Sequence, residues 1–136
     1  MARAPTVVVH DIAHARAALA AAAEAKREIH LLTPPGGAHY AGAPYYAELF
    51  RQAAAGAPTA RFRATLDCGD DAALALTAIA AGWRSLVLAR GGKAYAKVKD
   101  VAAQHGAHLT RRAPVADDLA ESADPRARCD ELLRRR

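Results

Sequence analysis

The sequence predicts an α/β fold: one domain with a five-stranded parallel sheet flanked by helices. Three observations predict it. Short apolar runs alternate with longer helix-like stretches five times along 136 residues, which is the pattern of a parallel sheet with helical crossovers. The intervals between the runs are too long for hairpins. The stretch Ala64-Thr65-Leu66-Asp67-Cys68-Gly69-Asp70-Asp71 reads as a strand ending in carboxylates, a glycine turn and a capped helix start, and in parallel sheets ligands sit at such strand ends.

The elements follow in order. Thr6–His10 is β-branched and short and reads as the first strand. A turn at His10 or Asp11 leads into a helix over Ile12–Glu28, with Ile12, Ala15, Leu19 and Ala22 on one face. Ile29–Thr33 is the second strand, stopped by Pro34-Pro35-Gly36-Gly37. A Gly- and Tyr-rich loop over Gly36–Pro44 precedes a helix at Tyr45–Ala55, and Pro34-Pro35-Gly36-Gly37-Ala38-His39-Tyr40 reads as a mobile lid or a simple connector. Arg61–Asp67 is the third strand. Asp70 or Asp71 caps a helix running to Ala81, and Gly82 stops it. Ser85–Ala89 is the fourth strand, Lys93–His105 a helix, and Ala107–Thr110 the fifth strand. Val115–Ser122 reads as helical, and Pro125–Leu133 as a last helix with a thin apolar stripe. The domain is expected over 1–123, with 124–136 a basic C-terminal helix or tail.

Strand polarity suggests an order. Val7-Val8-Val9 and Leu86-Val87-Leu88 are continuous apolar runs, as strands buried on both faces are. Ile29-His30-Leu31 and His108-Leu109-Thr110 carry polar residues and read as edges. The expected order is therefore 2-1-3-4-5, the flavodoxin-like arrangement. A partial (β/α) barrel is the rival, because Ala80-Ala81-Gly82-Trp83-Arg84-Ser85-Leu86-Val87-Leu88 resembles a barrel's helix-to-strand join.

Composition narrows the function classes. With 52% hydrophobic and 24% charged residues the chain is globular rather than disordered. Two cysteines, Cys68 and Cys129, make no disulfide framework, so a reduced cytoplasmic chain is expected. Met1-Ala2-Arg3-Ala4-Pro5 runs into the first strand without the apolar core of a leader, and no apolar run reaches membrane-spanning length. The net charge of +5 owes part of its value to Arg134-Arg135-Arg136. The few aromatics do not interleave with basic residues as a nucleic-acid platform requires, so nucleic acid and membrane are not expected partners.

The candidate site follows from the 2-1-3-4-5 order. Neighbouring first and third strands would bring His10 and Asp11 beside Asp67, Cys68 and Asp70. A histidine with carboxylates there can bind a ligand, move a proton, or hold a divalent cation on Asp11 and Asp67. The plainer reading is that Asp11 and Asp70 cap helices. Gly91, Gly92 and Lys93 open a helix whose amides suit a phosphate, although Arg90-Gly91-Gly92-Lys93 matches no nucleotide-binding fingerprint. Cys68 lies near a helix start, where a thiolate is favoured, or is a buried inert thiol.

Several chemistries are disfavoured. A phosphoacceptor receiver would need a second acid where His10 stands, a Ser or Thr after the fourth strand, where Ala89 and Arg90 stand, and a Lys after the fifth, where Arg111 and Arg112 stand. Of the six histidines, His10 and His14 have the four-residue spacing of ligands on a helix, but His10 lies in or just after a strand, and no Cys-x-x-Cys occurs, so structural zinc is not expected. No Ser/His/Asp arrangement is supported. The reading reached is a protein that binds a small molecule, a phosphate group or a divalent cation at the strand carboxyl ends. The alternative is a non-catalytic interaction or self-association module, for instance a homodimer, using Tyr40, Tyr45, Tyr46 and Phe50.

Overall fold

The computed structural model describes residues 3–135; Met1, Ala2 and the final Arg136 of the basic tail lie outside it. The α/β class holds. Six strands join in the order β5-β4-β3-β2-β1-β6, with helices between them, and the chain resolves into two compact groups of residues.

The first group comprises the chain through Leu32, Ala47–Ala64 and everything from Val115 on. Strand β1 (Thr6–Val8) pairs in parallel with β2 (Ile29–Leu32), Val7 opposite Leu31. Val7 and Val9 are fully buried, as the β-branched run predicts. Helix α1 (Ile12–Ala25) begins where Asp11 Oδ1 accepts the His14 amide at 2.9 Å, satisfying one of the free donors of the first turn. It buries Ala15, Ala18, Leu19, Ala21 and Ala22. It ends before the expected Glu28 because Lys26 takes a left-handed conformation, φ +55°.

The stretch expected as a helix at Val115–Ser122 is instead strand β6 (Asp117–Asp118), parallel to β1, followed by a 3-10 turn at Leu119–Glu121. Pairing with β1 outweighs the weak local helix preference, and Asp118 Oδ1 caps the turn through the Ala120 amide at 2.9 Å. Helix α6 (Pro125–Arg134) is capped by Asp124 and buries Cys129, Leu132 and Leu133. It packs on α1, and Arg27 donates to the carbonyls of Leu133 and Arg135 at its end.

The second group comprises Thr33–Tyr46 and Thr65–Pro114. The expected loop at Gly36–Pro44 contains a short helix, α2 (Gly37–Ala41), and α3 (Ala43–Ala55) begins two residues earlier than expected. Strand β3 (Phe62–Asp67) pairs in parallel with β4 (Ser85–Val87), and β4 with β5 (His108–Thr110). Helix α4 (Ala72–Ala80) is capped by Asp71, whose Oδ1 accepts the Leu74 amide at 3.0 Å. Helix α5 (Gly92–Gln104) starts at Gly91 and packs Val98 and Ala102 inward beside α4.

The expected order 2-1-3-4-5 is corrected. Here β2 lies between β1 and β3. The Ile29 amide bonds the Arg61 carbonyl and the Thr33 amide bonds the Thr65 carbonyl, so the ladder advances in the same direction along both chains. His30 suggested an edge, but its ring pairs with Glu28 at 2.7 Å and needs none, while Ile29, Leu31 and Leu32 are buried. The sixth strand, two aspartates long, carries no apolar run that a sequence reading could find. From β1 to β5 each strand lies beside its predecessor, as along the wall of the rival (β/α) barrel, while β6 returns to pair with β1. Among the described residues no helix is long and apolar enough to cross a membrane.

Candidate functional site

Among the described residues the acidic side chain that is buried, Asp67, stands at the carboxyl end of β3. Asp67 is only 6% exposed. Its Oδ1 accepts two backbone amides, Gly36 at 3.1 Å and Gly69 at 2.9 Å. Its own amide donates to the Thr33 hydroxyl at 2.8 Å, and Thr33 is fully buried. Among the described residues no hydrogen bond reaches Asp67 Oδ2, and no buried side-chain oxygen or nitrogen lacks a partner. Oδ2 is therefore not fully sealed from solvent, although the residue as a whole is buried. A carboxylate fixed by one oxygen and open at the other is a pre-aligned acceptor.

The surrounding turn is built tightly. Gly69 takes a left-handed conformation, φ +59°, and a Cβ there would come within 3.5 Å of Gly36 Cα. The Ala89 amide bonds the Gly69 carbonyl at 2.6 Å, which ties the end of β4 to the end of β3. Two residues on, Gly91 opens α5. The Arg111 guanidinium hangs about 4.0 Å from where a Gly91 Cβ would stand and stacks on Tyr95 at 4.7 Å. Arg90 reaches back to the Asp70 carbonyl at 3.4 Å. Gly91, Gly92 and Lys93 are exposed, so the positive end of the α5 dipole is open to solvent.

The remaining predicted residues fall as follows. Cys68 is fully buried. Its sulfur faces the Leu66 carbonyl at 3.9 Å. Burial, then the Asp67 and Asp71 charges, push its thiol up to about 12, so it stays protonated and packs as a small apolar group. Asp70 is exposed, and Asp71 rather than Asp70 caps α4. The Leu74 amide, ahead of His39, holds the Asp71 carboxyl below its ordinary value.

His10 and Asp11 belong to the first group. The β1–β3 adjacency expected to join them to Asp67 is absent, because β2 lies between those strands. His10 Nε2 pairs with Asp118 Oδ1 at 2.7 Å, and the His10 amide donates to His14 Nδ1 at 3.1 Å, so His14 carries its proton on Nε2 when neutral. Burial pushes the Asp118 carboxyl up, but the Ala120 amide and the two imidazoles outweigh it and leave it below the ordinary range. Beside it lies an open recess of about 450 Å³ lined by Asp117, Asp118, Glu121, Ser122 and Arg128; Arg128 already pairs with Asp117 and Glu131.

Among the described residues no three His, Cys, Asp or Glu side chains gather to hold a metal ion. Asp11 has one oxygen on the His14 amide and Asp67 one oxygen on two amides. The divalent cation expected on Asp11 and Asp67 thus has no cluster of three such ligands among the described residues.

Sequence reasoning missed Thr33 and Asp118, and marked Gly36 and His39 only as part of a lid or connector, without their partners. A Thr directly after an apolar strand was the available signal for Thr33. Nothing local marks the partners of the others, because these lie 31 or more residues away in sequence.

Residues 3–97 match the family model described as fructose-bisphosphate aldolase class-II. The chain belongs to that family. No curated protein matches it. The aldolase-family match runs from the approach to β1 into α5 and so contains Thr33, Gly36, His39, Asp67, Asp71 and Lys93. It ends before β5, β6 and α6, which leaves the Asp118 side of the first group outside it.

Proposed function

We propose that this aldolase-family chain binds a phosphorylated sugar at the carboxyl ends of β3 and β4. The single observation that carries the reading is Asp67, buried, held by two amides on one oxygen and open on the other. The open oxygen accepts a sugar hydroxyl. The amides at the start of α5, with Lys93, Arg90 and Arg111, take the phosphate. The family name supplies the substrate class, a sugar bisphosphate. The free, buried Cys68 and Cys129 fit a reducing, cytoplasmic setting for this work.

A second reading, a surface for self-association or a protein partner, draws on Tyr40 and Tyr45, which are 87% and 48% exposed, whereas Tyr46 and Phe50, expected beside them, are buried in the core. Large exposed aromatics are enriched at interfaces.

A thermal-shift panel of sugar phosphates, inorganic phosphate and divalent cations separates the two. A ligand that binds only the folded chain adds about 2.7 kcal/mol of stability at a hundredfold excess over its Kd. The proposal expects fructose 1,6-bisphosphate to raise Tm more than inorganic phosphate does. No shift from any sugar phosphate rejects it and turns attention to the tyrosine surface.

A further inference from the structure

His39 lies in the Gly-rich stretch that sequence alone reads as a mobile lid or a simple connector. Three contacts fix that stretch on the turn after β3. The Gly36 amide donates to Asp67. The backbones of Gly36 and Gly69 approach so closely that a Cβ on Gly69 would touch Gly36 Cα. His39 Nδ1 stands 3.5 Å from Asp71 Oδ2. Asp71 is itself held, because its other oxygen caps α4 through the Leu74 amide. Beneath, Gly37 leaves no room for a side chain: a Cβ there would stand 2.9 Å from Tyr46 Oη and 3.2 Å from Pro34 Cδ. The α2 turn is therefore a shaped platform seated on the residues that carry Asp67.

That platform buries neither His39 nor Tyr40. The His39 side chain is 60% exposed and Tyr40 is 87% exposed, with their rings edge to face at 5.3 Å. An ion pair this exposed adds little stability, so the packing of the fold does not account for it. A carboxylate on one imidazole nitrogen orients the ring and directs the other nitrogen outward. With Nδ1 turned to Asp71, the outward nitrogen is Nε2. It accepts from a hydroxyl when the ring is neutral and donates to a phosphate oxygen when the ring is charged.

We propose that His39, oriented by Asp71, is a second ligand-contacting residue of the Asp67 site, and that Tyr40 walls the same side. The inference rests on the strand-end reading above and adds the residue through which the site senses its ligand. Asp71 is a positioning residue: it touches His39 and not the ligand.

The test is an NMR titration of the full chain with fructose 1,6-bisphosphate, following the His39 imidazole signals and the Gly36 and Gly69 amides together. The inference expects all three to move along one saturation curve. It expects His39→Gln to weaken binding about tenfold or more, the loss of one charge-assisted hydrogen bond, with the amide spectrum elsewhere unchanged. Asp71→Asn should weaken binding less and free the ring. If the Gly36 and Gly69 amides move while His39 stays still, the site exists and the role of His39 is overturned. If none moves, the strand-end reading falls and this inference with it.

Discussion

Asp67 divides its carboxylate between structure and solvent, and the two parts can be separated by substitution. Asparagine keeps an oxygen for the Gly36 and Gly69 amides and removes the charge from the open position. The neighbouring thiol behaves in the opposite way, with no part of it turned outward. Cys68 is held protonated up to about 12 and Cys129 up to about 11, burial being the first cause for both. Native protein at pH 8 should therefore resist iodoacetamide at both cysteines, and both should be alkylated once the chain is unfolded, as read by intact mass. Rapid labelling of native Cys68 would show an accessible thiolate and refute the packing assigned to it. At this scale the sequence is half legible. Asp67 and the helix-capping aspartates announce themselves, because a carboxylate between an apolar strand and a helix start has few other uses. Thr33 and His39 do not, because each acquires its meaning from a partner that only the fold supplies.

The α2 turn is the element that sequence periodicity handles worst. Pro34-Pro35-Gly36-Gly37 signals a stop, and Gly-rich stretches usually read as loops. The glycines here serve close approach. Gly36 is left-handed at φ +65°, and Gly37 lies against the ring of Tyr46, which is buried and whose phenol is pushed up by burial and by Tyr45. Gly37→Ala should cost about 1–3 kcal/mol, the usual cost of overpacking. The cost should be smaller in a Tyr46→Phe background, where the hydroxyl facing the new methyl is gone. Denaturant midpoints of the four proteins of this cycle test it. An equal cost in both backgrounds would mean that Tyr46 Oη is not what excludes a side chain at 37. Strand β6 is the complementary failure. Two aspartates carry no strand propensity, and only pairing with β1 makes them one.

Across the whole chain, class and direction were legible and order was not. Alternating runs lead to a parallel α/β sheet regardless of which strands touch. Order was inferred from polarity, and polarity misled at β2, where the His30–Glu28 pair satisfies the one polar side chain of an interior strand. The sequential order replaces a switch point between β1 and β3 with a row of strand ends. The proposed site lies along adjacent ends, at β3 and β4, within the stretch that carries the aldolase-family match. The central claim is that this place binds a phosphorylated sugar through Asp67. Isothermal titration of fructose 1,6-bisphosphate into the native chain and into Asp67→Asn tests it most directly. The account predicts a saturable heat with the native chain and an affinity at least tenfold lower, about 1.4 kcal/mol, in a variant whose circular dichroism and Tm are unchanged. Equal affinity in the two proteins, or no binding by the native chain, would contradict it.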